Sequence, residues 1–211
     1  MPQTQVNPTR MELTRLKRRL VTARRGHKLL KDKRDEMVRR FIALVRDNRR
    51  LRIQMEEELT FAMREFALAR AVMEPEALEE AVLYPARRAE LVLEYGNIMS
   101  VKVPSIAMNE QSVSETILPY GLLSTSAQLD GAIATMAKTL PVMIQLAQIE
   151  KTCNLLAIEI EKTRRRVNAL EYVMIPDLEQ NIRSIAMKLE ENERGARTRL
   201  MKVKEMLAGR G

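Results

Sequence analysis

Residues 9–55 read TRMELTRLKRRLVTARRGHKLLKDKRDEMVRRFIALVRDNRRLRIQM, and their spacing decides the fold. Leu13, Leu16, Leu20, Ala23, His27, Leu30, Arg34, Met37, Phe41, Leu44, Asn48, Leu51 and Met55 recur at alternating steps of three and four, ten of the thirteen being apolar. Such a stripe is a heptad seam, the mark of a helix that pairs with another helix. Two start signals stand ahead of it, Asn7 with Pro8 or Thr9 with Glu12 three residues on, and either begins the same helix. After Met55 a four-residue step restarts the seam as Leu59, Ala62, Phe66, Ala69 and Met73. Glu74-Pro75 is the natural stop, because proline disfavours helix in the residue before it.

The last third of the chain carries a second stripe: Leu146, Ile149, Cys153, Leu156, Ile160, Thr163, Val167, Leu170 and Met174, then Leu178, Ile182, Ile185, Leu189, Asn192, Ala196, Leu200, Val203 and Leu207. Pro176, and Pro141 nearer the start, fall inside this run and should kink it locally, since proline lacks a backbone donor and crowds the carbonyl four residues back. Each stripe occupies about sixty residues, roughly 90 Å of helix. Equal lengths predict one antiparallel coiled coil with Leu13 near Leu207 and Met73 near Leu146. That register sets Arg164, Arg165 and Arg166 opposite Glu56, Glu57 and Glu58, and Glu190, Glu191 and Glu193 opposite Lys28 and Lys31.

The predicted fold is therefore all-α: a shaft helix over 1–74, a small central head over 75–125, and a second shaft helix over 126–211. In the head, Glu76 to Glu94 reads as a short helix broken at Pro85. Partial alternation from Ile98 through Val101, Val103 and Ile106 allows a β-hairpin over roughly 98–118, confined to an edge by Pro104 and Pro119. Thr125 with Gln128 has capping-box spacing for the last helical run.

Composition agrees. Of 211 residues 30% are charged, with three Phe, four Tyr, no Trp and seven Gly, too little aromatic bulk and too few turn formers for an all-β domain. One Cys and one His exclude a disulfide framework and a Cys/His zinc site. The N-terminus lacks a signal-peptide run and no window approaches eighteen uninterrupted apolar residues, so a soluble chain in a reducing compartment is expected. The scattered glycines fit neither GxxxxGK[ST] nor GxGxxG, and no cofactor or catalytic centre is expected. His27 reads as a seam or partner-facing residue, Cys153 as a small buried hydrophobe, and Asn48 as a register-fixing polar insertion. Arg34 divides evenly between that role and an outside contact. The fourteen Met sit mostly at apolar helical positions, as core filler.

Charge is the most informative local feature. Residues 1–52 hold seventeen Lys or Arg against five Asp or Glu in a chain of net charge +8. Arg10, Arg15, Lys17, Arg18, Arg19, Arg24, Arg25, Lys28, Lys31, Lys33 and Arg34 encircle the helix instead of marking one face. Nucleic-acid backbone, an anionic membrane surface and an acid-lined protein socket all suit such a collar. Composition alone leaves the three open.

Two runs go further. Asn7-Pro8-Thr9-Arg10, continuing through Leu13, Leu16, Leu20 and Ala23 to Gly26, Leu29, Leu30, Lys31, Lys33, Arg34 and Asp35, resembles the start of the D subunits of V-type and archaeal-type rotary ATPases. So does Glu161-Lys162-Thr163-Arg164-Arg165-Arg166-Val167-Asn168-Ala169-Leu170-Glu171, followed by Ile175-Pro176. The resemblance implies a non-catalytic central rotor shaft whose tip enters the hexamer of A and B subunits. It also implies an F subunit bound to the shaft and a C/d-type subunit beneath it above the membrane ring, with no nucleic acid and no membrane insertion. Carried over, Arg10, Arg15, Arg18, Arg19, Arg24, Arg25, Lys28, Lys31 and Arg34, with Arg164, Arg165 and Arg166, become candidates for contact with the hexamer or for bracing the coil. The implied location is cytoplasmic, peripheral on the membrane face.

Overall fold

The computed structural model describes residues 7–83, 90–109, 120–121 and 125–208. Helix α1 runs Arg10–Val72 and α2 Pro75–Leu83; strands β1 and β2 are Glu90–Ile98 and Val101–Asn109; α3 is Ala127–Ala169, followed by a π-helical turn Leu170–Met174 and α4, Ile175–Ala208. Two compact units result, Met1–Glu36 with Glu161–Gly211, and Met37–Ile160. The fold is all-α with a small two-stranded sheet, as the stripes predict.

Thr9 is the residue that opens α1. Its Oγ1 accepts from the Glu12 amide at 3.2 Å and its carbonyl from the Leu13 amide at 3.0 Å, satisfying donors the first helical turn leaves without partners. At the other end Pro75 takes the first position of α2, where its missing N–H costs nothing. Every described residue of the first stripe is buried or half-buried, while its neighbours on the helix are mostly exposed.

In the terminal unit, Leu16 and Ala23 pack against Leu178 and Ile185, with Leu13, Leu20, Leu170, Ile175, Ile182 and Leu189 around them. The two ends of one chain thus pair antiparallel. Their register differs from the one equal lengths predict. Arg10 pairs with Glu193 and Arg24 with Glu179 at 2.6 Å, while His27 Nε2 lies 3.3 Å from Glu171 Oε2. α4 is thus displaced by about 17 residues, close to five turns. Consequently the expected charge pairs do not form. Arg165 turns to Glu161 on its own helix, Glu58 meets Thr139 at 3.2 Å, and Glu190 meets Arg194 at 2.9 Å. Asn192, Ala196, Leu200, Val203 and Leu207, which the stripe directs inward, are exposed.

At Pro176 the expected local disturbance takes the form of a wider turn. Between Leu170 and Met174 the backbone takes a π-helical turn, with the Ile175 amide donating to the Leu170 carbonyl five residues back. This accommodates the proline ring and absorbs one extra residue. The seam accordingly steps from Leu170 to Ile175 to Leu178, and Met174, which three-four spacing places on it, is 50% exposed. Pro141 lies inside α3 without interrupting it.

The other unit pairs the second half of α1 with α3. Ala69, Leu78, Ala81 and Leu129 form its core with Phe66, Met73, Tyr120 and Ile133, and Tyr120 Oη donates to Asp130 at 2.8 Å. Arg52 reaches Glu150 at 3.5 Å, so this pairing is also antiparallel. The Thr125–Gln128 capping box does not form: Thr125 Oγ1 donates to the Gly121 carbonyl, and α3 opens on the Ser126 carbonyl.

The hairpin exists but begins earlier than predicted, so Glu90–Glu94, read as helix, is strand. Leu93 pairs with Ile106 and Ile98 with Val101. Met99 and Ser100 turn the chain with φ of 52° and 74°, the geometry of a type I′ turn without its usual glycine. The Ile106 amide points away from β1 to Gln148 Oε1 at 2.9 Å. Pro104, two residues back, therefore aims its donorless nitrogen off the ladder, where nothing is lost. Pro85 and the expected strand residues 110–118 lie outside the described residues, as does Pro119. One window of the helical run Ala127–Ala208 is apolar enough to cross a membrane by length and composition alone, at hydropathy 1.2, with 17% of it buried.

Candidate functional site: the basic surface of the paired termini

All twelve predicted site residues lie in the unit formed by the chain ends. The heptad pattern that turns Leu16 and Ala23 inward necessarily turns the intervening basic residues outward. All are exposed except Arg34, half-buried on the seam.

Their partners divide them into two groups. Arg10 and Arg24 cross to Glu193 and Glu179 on α4, bracing the pair of helices. Arg15 meets Glu12 at 3.5 Å, Arg34 meets Asp35 at 2.7 Å through Nη2, and Arg165 meets Glu161, all on their own helix. Arg18, Arg19, Arg25, Lys28, Lys31, Arg164 and Arg166 form no ion pair among the described residues. Exposed pairs contribute only about 0–1 kcal/mol each. The collar's ion pairs thus do little for the chain's own stability.

His27 sits on the seam, its side chain 20% exposed, against Glu171. Cys153 is half-buried, and burial, followed by the Glu150 carboxylate, pushes its thiol up from its ordinary value. Little thiolate forms at neutral pH. Iodoacetamide should therefore alkylate Cys153 several-fold more slowly in native protein than in urea; equal rates would reveal an activated thiol. No group of His, Cys, Asp and Glu able to hold a metal occurs among the described residues.

Periodicity misses the exposed apolar side chains of this unit. It directs Met174 and the Leu200, Val203 and Leu207 row inward, and it gives Val173 no place. Pro176 is the one signal in the sequence that the spacing slips.

Paired terminal helices with a basic outer surface are those of a coiled-coil protein. The sequence matches the ATP synthase D-subunit family over residues 12–205. It is 60% identical over 203 residues to the V-type ATP synthase D subunit of Acetivibrio thermocellus, covering 96% of this chain and 91% of that one. Identity is 56% over 209 residues with the V-type ATP synthase D subunit of Clostridium novyi, covering 98% and 97%, and 55% over 202 with that of Thermoanaerobacter sp. strain X514, covering 96% of each. The chain belongs to the ATP synthase D-subunit family, whose members are components of V/A-type ATPases.

Proposed function

We propose that this chain is the central rotor shaft of a V/A-type ATPase, a non-catalytic component that couples ATP synthesis or hydrolysis in a hexamer of A and B subunits to ion movement through a membrane ring. The family match over nearly the whole chain carries this reading. In it, residues 1–74 and 126–211 are the two shaft segments and 75–125 the head. An F subunit and a C/d-type subunit complete the stalk, on the cytoplasmic face of the membrane.

The physical case is one of stiffness and charge. Two helices locked along a shared seam resist twisting better than one, because bending either forces the other's side chains out of their holes. The shaft is asymmetric around its axis, so its angle can favour a different conformation at each surrounding interface, a population shift driven by differential contact. Solvated arginine and lysine suit such contacts, since they attract without interlocking.

Mixed with A and B subunits, one copy of this chain should co-elute with a six-subunit assembly. Changing Arg25, Lys28, Lys31, Arg164 and Arg166 together to glutamine should weaken that association about tenfold or more while helicity is retained. Absence of any such complex, alongside steeply salt-dependent binding to duplex DNA, would replace the shaft with a nucleic-acid module.

A further inference from the structure

Strand β1 has a mate on one side only. β2 lies against it, and the sheet ends there at two strands. Leu93 stands opposite Ile106, whose amide points away from β1 to Gln148 Oε1, and Tyr95 stands opposite Pro104, which has no amide to offer. In an antiparallel pair, opposed residues exchange both main-chain bonds or neither, in alternation. Leu91, Leu93, Tyr95 and Asn97 therefore turn their N–H and C=O groups outward, away from β2. α3 meets the outer side of β2 through Gln148, whereas the outer side of β1 meets no strand among the described residues.

The side chains of β1 are equally uncovered. Leu91, Val92, Leu93 and Tyr95 are 56%, 46%, 53% and 69% exposed. Leu91, Leu93 and Tyr95 share one face with Met108, Ile106 and Pro104, their opposites on β2. A long apolar edge of this kind recruits another strand unless lysine, proline or a bulge blunts it. β1 holds neither lysine nor proline, and its register with β2 runs unbroken from Glu90 to Ile98. A helix laid on the sheet would cover one face and leave the outward amides without acceptors. Only an extended segment satisfies both.

We propose that β1 pairs antiparallel with β1 of a second copy of this chain, joining two hairpins into one four-stranded sheet of order β2, β1, β1, β2. The strand is self-complementary about Leu93. With Leu93 opposite Leu93, Leu91 of one copy meets Tyr95 of the other and Val92 meets Glu94, so the apolar rows coincide and no like charges stand opposed. Leu91, Leu93 and Tyr95, the residues with outward main-chain groups, then occupy the hydrogen-bonded positions of the new pair. Because α3 occupies the far side of each β2, growth stops at two copies, giving a closed two-fold dimer instead of a fibre. Few residues meet, so the dimer is a concentration-dependent one, with Kd on the order of 10 μM. This pairing belongs to the free chain and does not rest on the shaft reading, in which one copy serves each hexamer.

Sedimentation equilibrium of the full chain, from about 1 to about 300 μM, brackets that constant. Expected is a rise in mass from 24.3 kDa toward twice that value, with no larger species. Leu93→Pro is the first variant. The position donates nothing to β2, so the hairpin's own ladder survives, as it does at Pro104, while the donor at the centre of the joint is lost. Leu93→Lys is the second, and it sets two ammonium groups opposite each other at a residue half-exposed in the single copy. Each should weaken the dimer about tenfold or more with far-ultraviolet circular dichroism unchanged. The register has its own readout. In a Cys153→Ser background, chains carrying Val92→Cys and Glu94→Cys, mixed under mild oxidation, should cross-link to each other several-fold faster than either does to itself, since opposed non-hydrogen-bonded positions suit a disulfide. A monomer at the highest concentration, assembly beyond two copies, a dimer untouched by both Leu93 variants, or self-cross-linking as fast as the mixed reaction would overturn the proposal.

Discussion

Leu156→Asp will lower the melting temperature of this chain by more than about 10 °C, or abolish its cooperative transition. Leu156 is 0% exposed on the inner face of α3. Removing its side chain forfeits about 2–3 kcal/mol of transfer free energy, and placing a carboxylate in the same dry position adds several more. The sum exceeds about 4 kcal/mol, a large share of the stability of an ordinary domain. Ile158→Asp, two residues on, is the control. Ile158 is 52% exposed, and the same change there should fall within about 0.5 kcal/mol of wild type. Equal melting of the two variants would mean that the seam is not what holds the helices together.

Deleting Arg183 should unfold the terminal unit, whereas deleting Met174 in a Pro176→Ala background should leave it intact. A one-residue deletion inside a helix rotates everything beyond it by about 100°. Without Arg183, Ile185 and Leu189 swing off the seam, each losing about 1.5–3 kcal/mol of burial. The π turn already contains one residue too many for an α-helical seam. Removing Met174 brings Leu170, Ile175 and Leu178 into plain four-three spacing, and alanine at 176 removes the ring that the wide turn accommodates. Far-ultraviolet circular dichroism and thermal melting of both variants decide it. Comparable damage from both would mean that the π turn does not hold a surplus residue.

Which residues face inward is legible in the sequence; how far the helices slide past each other is not. Burial at Leu16, Ala23, Met37, Ala62 and Ala69 follows from three-four spacing alone. A stripe that repeats every seven residues matches its partner again after sliding by about a heptad, so spacing is nearly blind to register. Equal lengths favour flush ends, whereas the Arg10–Glu193 and Arg24–Glu179 pairs set a register shifted by about 17 residues. The π turn is hidden for a related reason: Met174 is as apolar as Ile175, so both continue a plausible stripe. In the head, Glu90-Leu91-Val92-Leu93-Glu94 looks as helical as extended, and Met99-Ser100 carries no Asn-Gly signal to announce the tight turn. For the candidate site, the cations are visible as a cluster. Their division into bracing and unpaired groups requires knowing which carboxylates the register brings near.

Rotation itself is the most direct test of the central proposal. With the A and B hexamer fixed to glass, a bead is attached to this chain through a cysteine introduced at exposed Glu79, in a Cys153→Ser background. On addition of ATP the bead should turn in one direction and stop when ATP is exhausted. A bead that stays still while the same assembly hydrolyses ATP would contradict the shaft.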